Sequence, residues 1–200
     1  MPPWAFWKPA EWKAHHPACR EIIDNMLGWD VASFEPDFHK RGLLLFTLRN
    51  GNLRTDHKPY AEKIMIVEEA QETPMHFHWL KMEDIINRGG GNLVIELYQS
   101  NEDHSLREAP VTLKVDGILR TVPPGGKVVL RPGESICLEP GVYHRFYGEP
   151  GKGKVLVGEV SSVNDDKLDN CFYENLKRFP AIEEDVEPLH LLVTDYGAYL

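Results

Sequence analysis

The stretch TPMHFHWLKMEDIINRGGG, Thr73–Gly91, carries the strongest signal in the chain. His76 and His78 are separated by one residue, and on a β-strand residues i and i+2 point to the same face. Two imidazoles side by side can chelate a divalent metal, and Glu83 offers an oxygen ligand nearby. The spacing therefore predicts part of a metal site on an extended segment.

The step from His78 to Glu83 is an odd number of residues, which sets a constraint on the backbone. A straight strand would place these two side chains on opposite faces. If both contribute to one site, the chain must turn or bulge between Trp79 and Glu83. The glycines of 89–91 predict a loop before the next strand.

A fourth candidate ligand lies about sixty residues later. The segment that begins at Gly133 reads as a strand, turns at Pro140-Gly141 and presents His144 at the start of another strand. In a small barrel, that strand can face the first motif across the interior. Histidines elsewhere are more simply explained as surface or core residues: His15, His16, His39, His57, His104 and His190.

Composition limits the class of protein. The 200 residues suit one domain, and the net charge of −9 disfavours nucleic acid and anionic membranes as partners. The three cysteines form no CxxC motif, so a disulfide framework or a cysteine-based zinc site is not expected. The sequence shows no signal peptide and no apolar run of 18 residues, and the cytoplasm is the expected location.

Short strands between Gly/Pro turns predict an all-β barrel or sandwich. The Asp116-Gly117 pair indicates one hairpin, and Pro132-Gly133 a second. The predicted strands are Leu43–Leu48, Lys63–Glu69, Leu93–Gln99, Val111–Val115, Ile118–Val122, Lys127–Leu130, Ser135–Leu138, Tyr143–Tyr147 and Lys154–Val160.

The ends of the chain differ in texture from its middle. Pro17–Leu27 is predicted to be a short helix, Asp165–Phe179 a loop or loose helix, and His190–Thr194 a strand. We expect residues 1–42 to form a helical, aromatic extension that packs on the barrel. Residues 43–200 would form the barrel domain, with its C-terminal segment contributing to the active site. The N-terminal aromatic residues cover either the barrel or a subunit contact: Trp4, Phe6, Trp7 and Trp12.

The spacing His76-x-His78-x4-Glu83-x6-Gly90 resembles the first motif of the cupin proteins. The second cupin motif is matched less completely, because Gly133 and His144 are kept while the proline is displaced by one residue. Gly148 also stands where that motif ends in Asn. The resemblance implies a cupin-type β-barrel, or jelly roll, with His144 as the fourth metal ligand.

The segment HFHWLKMEDIINRGGGNLVIELY, with the later RFPAIEEDVEP and LLVTDY, resembles the D-lyxose isomerase family of cupins, including Lys81 between the HxH pair and Glu83. The resemblance implies interconversion of D-lyxose and D-xylulose, and often of D-mannose and D-fructose. It also implies a homodimer and a divalent metal, most commonly Mn²⁺. Co²⁺, Fe²⁺, Ni²⁺ and Zn²⁺ suit the same ligands.

Aldose–ketose isomerisation through a cis-enediol needs a base that moves a proton between C2 and C1. The resemblance points to Glu184 for this role and, less directly, to Asp195, with Lys81 steadying the enediolate oxygen. Trp79 and Tyr98 are candidates for the wall of a sugar pocket, with core packing as the alternative. Two other functions fit the same ligands, an Fe²⁺ cupin dioxygenase and a non-catalytic sugar-binding cupin.

Overall fold

The computed structural model describes residues 1–34, 37–52, 55, 57–163, 168–176 and 185–200. These residues form an all-β molecule with short helices at its two ends. The strands are β1 (Gly28–Ser33), β2 (Gly42–Arg49), β3 (Tyr60–Val67), β4 (Glu72–His78), β5 (Glu83–Gly90), β6 (Leu93–Ser100), β7 (Leu106–Arg107), β8 (Val111–Val115), β9 (Ile118–Val122), β10 (Gly126–Leu130), β11 (Ser135–Leu138), β12 (Val142–Gly148), β13 (Val155–Ser162) and β14 (Asn170–Phe172).

Two antiparallel sheets build the barrel. The larger sheet has the strand order β1-β2-β3-β13-β5-β11-β8-β9, and the smaller has the order β10-β6-β12-β4-β14, with β7 pairing β6. Neighbouring strands are mostly distant in sequence, as in a jelly roll rather than a meander. The predicted all-β, jelly-roll fold is confirmed.

The core lies between the two sheets. Alternate residues of β3 and β8 are buried, which follows from the two-residue repeat of side-chain direction. The side chains that meet there are aliphatic and aromatic, and they come from both sheets: Leu45, Val67, Ile85, Ile95, Leu97 and Phe146. By contrast, β4 is buried on both faces. One face lines a cavity inside the barrel, and the other packs in a second apolar cluster.

The hairpin predicted at Asp116-Gly117 is confirmed, since β8 pairs with β9 and both turn residues have positive φ. The second predicted hairpin is wrong. β10 pairs with β6 in the smaller sheet, whereas β11 pairs with β5 and β8 in the larger one. The Pro132-Gly133 turn therefore carries the chain between sheets instead of folding one strand back on the other.

The glycine segment is more regular than expected. β5 continues through Gly89 and Gly90, so the predicted loop shortens to the two residues before β6. Gly90 has φ of 91°, and a Cβ there would overlap the carbonyl oxygen of Lys154 on the neighbouring chain segment. Glycine is therefore required by close backbone approach as well as by conformation.

The chain termini pack together beside the barrel. The helices are α1 (Pro9–His15), α2 (Arg20–Asp24) and α3 (Tyr196–Tyr199), with 3₁₀ turns at Pro3–Phe6, His16–Ala18 and Val193–Asp195. Trp12 and Tyr196 are buried in one cluster, and the ring of Trp4 lies 5.0 Å from that of Phe46 on β2. Part of the aromatic N-terminus therefore covers the barrel. Gly28–Ser33, within the expected extension, is an edge strand of the larger sheet.

Two predictions for the C-terminal part are wrong. His190–Thr194 is not a strand, because the chain turns at Val193–Asp195 and Asp195 accepts a hydrogen bond from the Leu192 N–H at 2.7 Å. The region expected to be loop or loose helix contains β14, which pairs with β4. Among the described residues, no helix is both long and apolar enough to cross a lipid bilayer.

Candidate metal centre

Three histidines converge at one end of the barrel interior. His76 and His78 lie on β4, and β12 pairs with β4 so that His144 stands opposite His76. The ring centroids of His76 and His144 are 4.2 Å apart, and those of His76 and His78 are 5.1 Å apart. One nitrogen from each ring lies within 4.8 Å of the others. The predicted same-face placement of the HxH pair is confirmed.

Backbone carbonyls orient two of these rings. Nδ1 of His76 lies 2.7 Å from the carbonyl oxygen of Pro74, and Nδ1 of His144 lies 3.0 Å from that of Val142. A carbonyl oxygen can only accept a hydrogen bond, so each Nδ1 carries the proton. Each Nε2 is left with its lone pair available for a metal.

Glu83 reaches the same point from the opposite sheet. β4 ends at His78 and β5 begins at Glu83, so the predicted turn between them is confirmed. Oε1 of Glu83 lies 3.1 Å from Nε2 of His144 and 3.4 Å from Nε2 of His78. The turn therefore explains how both side chains reach one site despite the odd spacing, because it moves the chain from one sheet to the other before Glu83.

These four residues fit a divalent cation. Oε1 of Glu83 and Nε2 of His144 are both buried, and neither has a hydrogen-bond partner among the described residues. Two lone pairs that face each other at 3.1 Å repel unless a positive charge lies between them. Three imidazoles and one carboxylate are donors that Mn²⁺, Fe²⁺, Co²⁺, Ni²⁺ and Zn²⁺ accept.

The electrostatics keep the site in its metal-binding form. Burial and the neighbouring histidines lower the pKa of His76 well below its usual value, and burial together with Lys81 lowers the pKa of His78. Burial alone would raise the pKa of Glu83. The charge of the Lys81 ammonium outweighs burial and holds the pKa of that carboxyl well below its usual range. The imidazoles of His76 and His78 are therefore neutral and the carboxylate of Glu83 is ionised.

Lys81 belongs to a buried chain of charges beside the histidines. Its Nζ lies 2.6 Å from Oε2 of Glu83 and 3.1 Å from Oε1 of Glu159. Nζ of Lys63 lies 3.3 Å from the same Glu159 oxygen, and the Ser161 hydroxyl donates to it at 3.2 Å. Both lysines and both glutamates are buried. Lys81 thus lies beside the candidate metal ligands.

Sequence reasoning missed Lys63 and Glu159. They occupy paired positions on β3 and β13, two strands that were predicted only as strands. The available signal was a charged side chain inside each apolar strand, in KIMIV and VLVGEV. On an open sheet such residues face water, whereas here they face the barrel interior.

A cavity opens beside the histidines and the charge chain. Apolar side chains from both sheets form much of its wall, and Asn170 adds one polar group. Phe172 of β14 lies against His76, with ring centroids 5.3 Å apart. The C-terminal segment therefore closes one side of the cavity. The wall includes Phe34, Leu43, Met65, Phe146, Asn170 and Phe172.

Three residues predicted for the site lie outside this cavity wall. Trp79 is 45% exposed and packs against Phe77, because it shares that residue's side of β4 rather than the histidines' side. Tyr98 joins the apolar cluster behind β4. The carboxylate of Asp195 accepts a hydrogen bond from the Leu192 N–H and so caps its own 3₁₀ turn. Glu184, predicted as the base, and its neighbour Glu183 lie outside the described residues.

A family model for D-lyxose isomerase matches residues 1–196. The chain belongs to the D-lyxose isomerase family. It is 52% identical over 204 residues to the D-lyxose/D-mannose isomerase of Serratia proteamaculans, covering all of this chain and 90% of that protein. It is 50% identical to the D-lyxose/D-mannose isomerase of Escherichia coli O157:H7, covering 96% of this chain and 86% of that protein.

More distant structures share the fold. An L-ribose isomerase from Acinetobacter sp. DL28 in complex with L-ribose superposes with a TM-score of 0.53 at 16% identity, covering 84% of this chain and 91% of that one. An L-ribose isomerase from Cellulomonas parahominis without ligand gives a TM-score of 0.54 at 14% identity, covering 84% and 91%. At these identities the likeness concerns the cupin-type barrel alone.

Proposed function

We propose that this member of the D-lyxose isomerase family is a metal-dependent aldose–ketose isomerase. Its aldose substrates would be D-lyxose and D-mannose, which the names of its two close relatives contain, and the corresponding ketoses would be D-xylulose and D-fructose. The observation that carries the proposal is the convergence of His76, His78, Glu83 and His144 beside the buried ammonium of Lys81. A sugar bound in the adjoining cavity would meet both groups.

His76, His78, Glu83 and His144 would hold the metal, and we propose Mn²⁺ as the cation. When bound, it supplies Lewis-acid polarisation of the sugar carbonyl. Lys81 would donate a hydrogen bond to the oxygen that becomes negatively charged when a carbon-bound proton leaves. The buried position of Lys81 strengthens that interaction, because little water screens it.

Two carboxylates are candidates for the base that moves the proton between C2 and C1. Glu184 is the prediction from sequence. Glu159 lines the cavity, and Lys81, Lys63 and Ser161 surround its Oε1 with donors. These donors favour the ionised carboxylate, which is the form a base requires.

The reaction is tested with Mn²⁺-loaded protein and D-lyxose under anaerobic conditions in D₂O. We expect D-xylulose that carries deuterium at C1, with a parallel conversion of D-mannose to D-fructose. D-xylulose without deuterium would refute proton transfer by a base that exchanges its proton with the solvent. Protein that converts neither sugar, and instead consumes oxygen with another substrate, would support the dioxygenase alternative and refute the isomerase.

The base is identified by comparing Glu184→Gln with Glu159→Gln. Replacing the base should lower kcat about 10²–10⁴-fold, because general base catalysis contributes that much. The exposed Glu102 provides a matched control, and Glu102→Gln should leave kcat unchanged. If either active-site variant binds Mn²⁺ and retains full kcat, that residue is removed from the role.

We also propose that the protein is a cytoplasmic homodimer, whose partner in the reaction is a free monosaccharide. We propose further that the C-terminal part of residues 43–200 contributes to the active site. The pairing of β14 with β4 supports this second proposal. Light scattering of the purified protein tests the assembly, and a monomeric mass at micromolar concentration would contradict it.

A further inference from the structure

One carboxylate outside the ligand set contacts the turn between β4 and β5. The Trp79 N–H donates to the backbone carbonyl of Asp169 at 3.1 Å. The N–H of Leu80 donates to Oδ1 of Asp169 at 2.8 Å, and that of Lys81 to Oδ2 at 3.1 Å. Three consecutive amides of the turn thus end on one buried residue. The pairing of β14 with β4 holds Asp169 in register, since Asn170 stands opposite His78.

The turn held in this way separates two candidate ligands and supplies Lys81. His78 ends the strand before it, and Glu83 begins the strand after it. Lys81 points its ammonium 2.6 Å from Oε2 of Glu83. A small shift of the turn would therefore move both ligands and the ammonium together, and sites of this kind lose function with errors of about 1 Å.

Asp169 also faces the ring of His78. His76 and His144 direct Nδ1 at backbone carbonyls, whereas Nδ1 of His78 is buried without a hydrogen-bond partner among the described residues. Oδ2 of Asp169 lies 3.7 Å from that nitrogen. A histidine that coordinates through Nε2 carries its proton on Nδ1, and a carboxylate nearby favours this tautomer.

We propose that Asp169 is a positioning residue for the metal centre. Its carboxylate fixes the backbone that presents Lys81, and its negative charge selects the tautomer of His78 that leaves Nε2 free. Asp169 contacts none of the atoms that would coordinate the metal. It acts through the turn and through Nδ1 of His78. The inference rests on the proposed metal centre and isomerase function.

Two substitutions test the proposal, with Mn²⁺ affinity as the primary measurement. Asp169→Asn keeps one oxygen that can accept an amide hydrogen bond but removes the charge beside His78. Asp169→Ala removes both. Replacing a residue that orients a metal-binding histidine typically lowers metal affinity about 10–100-fold. We expect the Mn²⁺ dissociation constant to increase about 10-fold in Asp169→Asn and up to about 100-fold in Asp169→Ala. The electron paramagnetic resonance signal of free Mn²⁺ measures this constant.

Ser162, the last residue of β13, offers a matched control because it contacts the same turn. Its hydroxyl accepts a hydrogen bond from the Met82 N–H at 3.3 Å. Ser162→Ala should weaken the turn slightly and leave the Mn²⁺ dissociation constant within about twofold of the parent, because this hydroxyl does not face His78. Thermal unfolding of each metal-free variant shows that it is folded before metal is added.

The outcomes separate this inference from the function on which it rests. If the parent protein binds Mn²⁺ and folded Asp169→Asn binds it equally well, the positioning role is overturned and the metal centre stands. If Ser162→Ala weakens binding as much as Asp169→Asn, the effect comes from general loosening of the turn, and the role is again overturned. A parent protein that binds no Mn²⁺ overturns the metal centre and, with it, the inference.

Discussion

Replacing Lys81 by Met tests whether the charges beside the histidines are mutually dependent. The ammonium lies 2.6 Å from Glu83 and 3.1 Å from Glu159, and all three side chains are at most 6% exposed. Removing one partner of a buried ion pair typically costs about 3–5 kcal/mol, because a charge remains buried without its counterion. Lys63 still lies 3.3 Å from Glu159, so the loss falls mainly on Glu83. We expect a cost near the lower end, about 3 kcal/mol.

Lys154→Met provides the matched control. The same substitution there removes an ion pair of similar length, 2.8 Å to Glu68, but the two side chains are 67% and 44% exposed. Exposed pairs contribute about 0–1 kcal/mol. Urea unfolding of both variants with a chelator present gives the two free energies directly. Equal losses at the two positions would refute the idea that burial makes the Lys81 charge essential.

Metal provides the second half of the test. A cation held by Glu83 and the three histidines would supply the positive charge that Lys81→Met removes from Glu83. Ligands that bind only the folded state stabilise it in proportion to the logarithm of their concentration over the dissociation constant. The deficit of Lys81→Met relative to the parent should therefore shrink when saturating Mn²⁺ replaces the chelator. A deficit that grows with Mn²⁺ would contradict the proposed placement of the metal at Glu83.

Three other predictions concern the barrel and the cluster of chain termini beside it. In urea unfolding, Gly117→Ala should lower the free energy of unfolding by about 1–2 kcal/mol, because φ is 77° and nothing lies within 4 Å of a new Cβ. Gly90→Ala should lower it more, because the new Cβ would overlap the carbonyl oxygen of Lys154. Tyr196→Phe should lower stability by about 1–3 kcal/mol in the same assay, since its buried hydroxyl donates to a carbonyl at 2.6 Å. Burial and Asp84 raise the pKa of Cys137 to about 11. At pH 9 only about 1% of this thiol is therefore thiolate, and alkylation of Cys137 should be slow. Asp84→Asn should accelerate the alkylation, because it removes the neighbouring negative charge.

The candidate metal ligands His76, His78 and Glu83 were predictable because their signals are local. The spacing of His76 and His78 fixes a shared face on any extended segment, and the odd step to Glu83 requires the turn that the structure contains. Local periodicity does not depend on which strand lies alongside. His144 needed a further motif, since nothing in its neighbourhood specifies that β12 lies beside β4.

The errors arise where pairing across the fold decides the outcome. The segments around Pro132-Gly133 have the composition of a hairpin, yet their partners are strands far away in sequence. β14 has three residues and gains its place by pairing with β4. Such pairings depend on which edge the closed barrel leaves available, and short segments carry too little periodicity to reveal that.

The inner face of the barrel also explains why Lys63 and Glu159 were missed and why they matter. Among the described residues that line the cavity, the ammonium groups of Lys63 and Lys81 lie beside the carboxylates of Glu83 and Glu159. A divalent cation at the histidines would add positive charge beside these groups. A neutral sugar would gain little from that added charge, whereas negative charge that develops on a substrate oxygen would gain much more.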